Sequence, residues 1–371
     1  MITAFPVTDS GPAGTVAVPA SAASPGPREE LLRQSGVALA LGSPFVSDVL
    51  AATYRQLHRA PQLEATIAAW PLDPAASAMA LRLNAGLHAL ARRGTFADLS
   101  ALYAVSHQDF DRAIGEALDQ GEAMLLVWMS HPTQTNEVRR SSAFIAALAV
   151  LAEQHDMPFE LLEIGASAGL NLLLDHYSHN LGGRRFGAPD SLLQLSPQWM
   201  GPPPPAAEVR IACARGVDLR PLRLDDPHTR ERLMSYVWPG DDLRSDCLRR
   251  AMSIAREIVP TVDRASAAPW LGTQLAEPQA AGTMRVIQHS MVLQYLPKQE
   301  LRSVLSAILA AGRQATPERP IARIGLEWNR NRTEVQLCMT RWQGRPGDGR
   351  RTILASCHPY GAAFAWRGPG A

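Results

Sequence analysis

Apolar residues recur along the chain in two rhythms, and the change from one to the other divides it. Over residues 28–126 the spacing is helical. Ser43 and Pro44 read as an N-cap followed by proline at N1, leading into Phe45, Val46, Val49 and Leu50. Pro74 opens a stretch in which Met79, Leu83, Leu87 and Leu90 share a face, and Gly94 closes it. Residues 109–118 predict another short helix, and 125–129 read as a strand or as the end of a helix. A helix carrying Phe144, Ile145, Leu148 and Leu151 follows. From Leu161 onward short apolar or alternating runs take over, at 161–164, 191–199, 209–213 with 216–219, 284–290 and 321–328. Residues 334–342 and 351–357 read as strands joined by the loop 344–349, a hairpin. The expected class is α/β, with a helical cap region ahead of alternating strands and helices.

The stretch Leu161-Leu162-Glu163-Ile164-Gly165-Ala166-Ser167-Ala168-Gly169-Leu170-Asn171 reads as buried strand, tight turn and helix. Gly165 and Gly169 would let the backbone approach a ligand, and the helix from Gly169 would aim free N–H groups into the same crevice. In an open α/β sheet that crevice is where ligands bind. Three chemistries fit the letters. E-x-G-x-x-x-G resembles the first motif of class I S-adenosylmethionine (SAM) methyltransferases. Gly165 to Gly169 also spell G-x-S-x-G, the nucleophile elbow of α/β-hydrolases. The dinucleotide fingerprint fails, because Ser167 stands where its second glycine should be. An elbow also needs several strands before it and a His-Gly-Gly type loop upstream, and neither is present, so Ser167 is read as a loop residue.

Composition narrows the partners. The chain has 371 residues, 46% of them hydrophobic, enough for a substantial core, and its net charge of +1 leaves no footprint for nucleic acid or an anionic membrane. Four well-separated cysteines without a C-x-x-C pair fit a reducing compartment and no structural zinc. Lys298, the only lysine, has neither a P-loop nor a Schiff-base context. His176 and His179 lack a third ligand for a metal. No run spans a bilayer and the start is not a signal peptide, so a cytoplasmic protein with a small-molecule substrate is expected. Oligomeric state is not legible. Residues 1–27, rich in Pro, Ala, Ser and Gly, read as a disordered tail. The expected division is 1–27, a helical cap region 28–133, and a SAM-binding domain 134–371.

Two polar segments carry more chemistry than their local structure needs. Gln134, Asn136 and Glu137 precede a helix for which one cap would suffice. Tyr236-Val237-Trp238-Pro239 concentrates aromatics in a loop. Gln134 to Glu137, Glu163 to Asn171, Tyr236 to Pro239, and His289-Ser290 with Tyr295-Leu296 occur in this order. Together they resemble an uncharacterised bacterial family with a class I methyltransferase-like (Rossmann-like) domain behind a helical region. The chain is also similar to azetidine-2-carboxylate synthases, which cyclise SAM.

What the resemblance implies is a SAM site at Gln134, Glu163, Gly165, Ala166, Ser167, Gly169 and Asn171. In methyltransferases an acid ending the second strand binds the ribose. Here the run 191–199 offers only Gln198, and Asp218 is the alternative. Aromatic faces hold a sulfonium, and Tyr177, Tyr236, Trp238 and Tyr295 are candidates. His289 or Glu137 could take a proton from an acceptor, with Asn136 beside the reacting centre. Three readings remain open: methyl transfer to a small molecule, cyclisation of SAM with release of methylthioadenosine, and SAM binding without catalysis.

Overall fold

The computed structural model describes residues 26–75 and 77–370. Most of the segment read as a disordered tail therefore lies outside the described residues. In chain order the α-helices are α1 (Glu29–Ala40), α2 (Pro44–Gln56), α3 (Pro61–Ala68), α4 (Met79–Arg92), α5 (Ala97–Tyr103), α6 (Phe110–Ser130), α7 (Ser141–His155), α8 (Pro227–Ser235), α9 (Asp242–Glu257), α10 (Ala267–Ala276) and α11 (Lys298–Arg313). The strands are β1 (Phe159–Ile164), β2 (Ser178–Leu181), β3 (Arg184–Gly187), β4 (Gln194–Leu195), β5 (Gln198–Met200), β6 (Ile211–Asp218), β7 (Val262–Arg264), β8 (Met284–Ser290), β9 (Ile321–Trp328), β10 (Val335–Trp342), β11 (Arg351–Cys357) and β12 (Ala363–Trp366).

The described residues form two compact units, those up to Thr135 with Pro227–Ser245, and Asn136–Asp226 with those from Asp246 onward. A single cut near residue 133 misses the return of residues 227–245 to the helical unit. Burial explains that return. Leu233, Met234, Tyr236 and Val237 are buried, α8 packs on α4, and Ser235 O meets His88 Nδ1 at 3.1 Å. The core of this unit joins Leu31, Val49, Leu83, Leu87, Leu118 and Leu125. The run 125–129 is the end of α6 and not a strand, because Leu125 and Met129 fall one turn apart on its buried side. Asp109 caps this helix, accepting from Arg112 N at 3.2 Å. Ser43 precedes α2 with Pro44 at N1, but its side chain makes no capping bond.

The second unit is built on a nine-stranded, mostly parallel sheet of order β5-β12-β11-β10-β9-β8-β1-β6-β7. Strands β7, β6, β1, β8 and β9 run parallel, and β10, β11 and β12 continue antiparallel. One face packs Leu161, Val286, Ile324 and Leu326 against α7, where Ala143 through Val150 are buried all round. The other packs Leu162, Ile164, Ile287 and Ile321 against α10 and α11. The chain runs from β1 out to β6 and β7, then returns to β8 and β9. That reversal places the topological switch point between β1 and β8.

Two strand assignments change. The run 191–199 does not supply the second strand of the sheet. It divides into β4, in a separate three-stranded sheet with β3 and β2, and β5 at the far edge of the large sheet. The strand beside β1 is β6, which unites the runs 209–213 and 216–219.

Candidate functional site

At the end of β1 the chain turns through Gly165 (φ +71°), Ala166, Ser167 (φ +56°), Ala168 and Gly169 (φ +76°) into a short 3-10 helix, Leu170–His176. Neighbouring protein, not space left for a ligand, accounts for both glycines. A Cβ on Gly165 would lie 2.4 Å from Val292 Cγ2, and one on Gly169 would lie 2.7 Å from Pro260 Cβ. Gly216 on β6 obeys the same rule, since its Cβ would come within 2.5 Å of Ala166.

Every backbone amide of residues 165–170 has an acceptor inside the protein. Gly165 N and Ala166 N donate to Val217 O at 2.9 and 3.0 Å, and Gly169 N donates to Ala166 O at 2.7 Å. Ser167 N donates to Asp218 Oδ2 at 3.0 Å. Ala168 N and Leu170 N share Asn136 Oδ1, at 3.0 and 3.3 Å. The expectation of free N–H groups facing the crevice is thus corrected for residues 165–170: the carbonyls of Val217 and Ala166 and the side chains of Asp218 and Asn136 satisfy them. This loop has no amide cradle for a phosphate.

Polar side chains beneath the loop are less well served. Glu163 on β1 and Gln288 on β8 are register partners, 2% and 0% exposed, on the face covered by α7. Among the described residues, Glu163 Oε2, both amide atoms of Gln288, Asn171 Oδ1 and Ser167 Oγ are buried without a hydrogen-bond partner. Burial pushes the Glu163 carboxyl up to about 8. The Gln288 and Asn171 amides beside it oppose the shift without giving Oε2 a bond of proper geometry, and the charge of Asp218 adds to it. An unsatisfied buried group costs about 1–3 kcal/mol, so this cluster is expensive for the protein alone. Tyr177, fully buried, donates to Leu170 O at 2.6 Å and braces the 3-10 helix from within.

Residues 28–366 match a family model described as an uncharacterised protein conserved in bacteria, DUF2332. The chain belongs to the DUF2332 family. A comparison with curated proteins gives no match. In this DUF2332 member, Asn136, Glu163, Gly165, Ala166, Ser167, Gly169, Asn171 and Asp218 come together around the loop. Asp218 ends β6, the strand next to β1, and also accepts from Arg220 N at 2.8 Å. Gln198 does not belong to the site: it lies on the edge strand β5, six strands from β1. Glu137 is buried at the start of the sheet unit. Gln134, Tyr236 and Trp238 belong to the helical unit, where Tyr236 meets Trp128 edge-on at 5.8 Å and Trp238 packs on the helical core.

His289 has no free lone pair to act as a base. It lies on the sheet face opposite Glu163 and Gln288, with Nδ1 2.8 Å from Glu327 Oε1 and Nε2 accepting from Arg323 Nε at 3.0 Å. That pairing fixes the neutral Nδ1–H tautomer, and burial holds its pKa below the usual histidine value. His179 is likewise engaged, by Ser142 Oγ at 3.1 Å and Leu174 O at 2.8 Å. Among the described residues no cluster of His, Cys, Asp and Glu is placed to hold a metal ion, and no helix is long and apolar enough to cross a membrane. The residue that sequence reasoning missed is Gln288. Its signal was an amide inside the apolar run of Met284–Ser290, a position where a strand buried on both faces has no use for one.

Proposed function

We propose that the protein binds S-adenosylmethionine at the loop 165–169 and transfers its methyl group to a small molecule. The observation that carries this reading is a glycine loop at a switch point whose own amides are saturated, beside an acid and two amides that are not. A loop without spare N–H donors suits a ligand that brings no phosphate to it. A buried carboxyl flanked by amide oxygens suits one that brings ammonium donors and positive charge. SAM has both properties, and the orphaned atoms of Glu163, Gln288 and Asn171 fit its charged amino-acid end. Asp218, at the end of the strand beside β1, is the acid this reading assigns to the ribose. The parallel run β7-β6-β1-β8-β9 followed by antiparallel strands resembles the class I methyltransferase sheet and supports the same choice.

When bound, SAM supplies a methyl group on a positively charged sulfur, open to in-line attack. The residues of the chain contribute position: Asn136 fixes the loop backbone, and Glu163 with Gln288 fix the polar end of the ligand. Calorimetric titration with SAM, and mass spectrometry after incubation with SAM alone, test the reading. Saturable binding with SAM left intact, and methyl transfer once acceptors are supplied, support it. Methylthioadenosine formed without an acceptor would replace methyl transfer by ring closure. Binding with no turnover across an acceptor panel would leave a SAM-binding protein, and absence of binding overturns the site.

A further inference from the structure

On the sheet face packed by α10 and α11, Arg323 of β9, Thr340 of β10 and Arg351 of β11 stand in one rank, Thr340 pairing with both arginines. Cys338 lies two residues along β10 from Thr340, and Arg351 bonds to it. Arg351 Nη2 donates to Cys338 Sγ at 2.8 Å and to Gln336 Oε1 at 3.1 Å, and Arg323 acts on the same thiol through its charge. Among the described residues neither arginine has a carboxylate at ion-pairing distance. Arg323 is half-buried, and its Nε donates to the neutral imidazole of His289. Glu327 gives its Oε1 to His289 Nδ1 and to the amides of Val292 and Leu293 instead. Two neighbouring guanidinium groups repel each other while bonded to neutral groups, and at Arg323 the Glu327 carboxylate offsets that repulsion only through space. The partner that offsets such an arrangement is an oxyanion, whose geometry matches the guanidinium fork.

We propose that Arg323, Thr340 and Arg351 form a binding site for a small oxyanion, the phosphate or carboxylate group of a ligand. The bond to His289 holds the Arg323 guanidinium in place before the anion arrives. Arg351 is exposed and Thr340 partly so, which leaves the rank open to solvent. The site lies on the face away from Glu163 and Gln288, so it is independent of the SAM reading.

Calorimetric titration of the full chain with sodium phosphate, and separately with sodium acetate, tests this at constant ionic strength set by sodium chloride. Saturable binding of one of the two is expected, and which one binds separates a phosphate from a carboxylate ligand. Arg351→Gln, at an exposed position, should melt close to wild type and weaken that binding at least tenfold, and Arg323→Gln should do the same where it folds. No saturable binding of either anion, or unchanged binding in folded Arg351→Gln, overturns the proposal.

Discussion

Glu163 and Gln288 face each other across neighbouring parallel strands, both buried, and among the described residues Glu163 Oε2 and the Gln288 amide atoms have no hydrogen-bond partner. Parallel central strands are normally apolar on both faces. A carboxyl and an amide side by side at the end of two such strands favour a ligand over a packed core.

The raised Glu163 carboxyl makes stability depend on pH. Its value moves from 4.5 to about 8 on folding, so the native state holds a proton that the unfolded chain has released. Stability from this group is full below about pH 4.5 and is lost as pH rises through about 8. Thermal melts of the ligand-free protein should show wild type losing stability relative to Glu163→Gln between pH 5 and pH 8.5, by roughly 5 °C or more in Tm. Parallel curves for the two proteins would mean that the carboxyl is not held neutral.

Gly165→Ala should destabilise the fold by about 2–4 kcal/mol, from a left-handed backbone and a collision combined. The collision is with Val292, whose Cγ2 would lie 2.4 Å from the new Cβ. Adding Val292→Ala should recover part of the loss but not the backbone share. Denaturant unfolding of the two single variants and the double variant measures the coupling. Simple additivity would place Val292 away from the loop.

Asn136→Ala should lower both stability and SAM affinity. Two loop amides lose their acceptor, a cost of about 1–3 kcal/mol, and the residue sits at φ +38°, which asparagine tolerates better than alanine. The sequence suggested a group acting on the reacting centre or a cap for the following helix. Asn136 does not cap the following α7; its side-chain oxygen caps the loop and the 3-10 helix after it. Affinity is expected to fall at least tenfold in calorimetry, and wild-type affinity in a folded variant would count against a loop-holding role.

Glu327 ties His289 to the segment after β8. Its Oε1 accepts from Val292 N and Leu293 N at 3.1 and 3.3 Å as well as meeting His289 Nδ1. Glu327→Ala should therefore cost about 2–3 kcal/mol and speed hydrogen exchange at the amides of Val292 and Leu293. Unchanged exchange at those two positions would show the segment to be held by something else.

Much of the central architecture could be read from local pattern, because buried strands there are short apolar runs with clear ends. Residues 161–164, 284–290 and 321–328 became β1, β8 and β9, and the hairpin strands became β10 and β11. The errors arose where pattern is ambiguous. The part-exposed β6 lacks a continuous apolar face, so the more apolar Leu192, Leu193 and Leu195 drew the second strand to the wrong segment and Gln198 into the site. Asn136 and Asp218 owe their positions beside the loop to contacts across 32 and 51 residues, which no local rhythm records. The opposite faces of Gln288 and His289 follow from strand alternation, yet which face holds the site depended on knowing where α7 packs.

The helical unit is written in two pieces of sequence, and this sets an order of assembly during synthesis. His88 and Ser235, which meet in the finished unit, are separated by 147 positions. At translation rates of roughly 5–20 residues per second, that gap lasts roughly 7 to 30 s. Strands β1 through β6 are made in the interval, before α8 exists to cover its side of α4. The nascent helices therefore wait with an apolar flank uncovered while half of another unit emerges behind them, which makes this flank a natural landing place for a ribosome-associated chaperone.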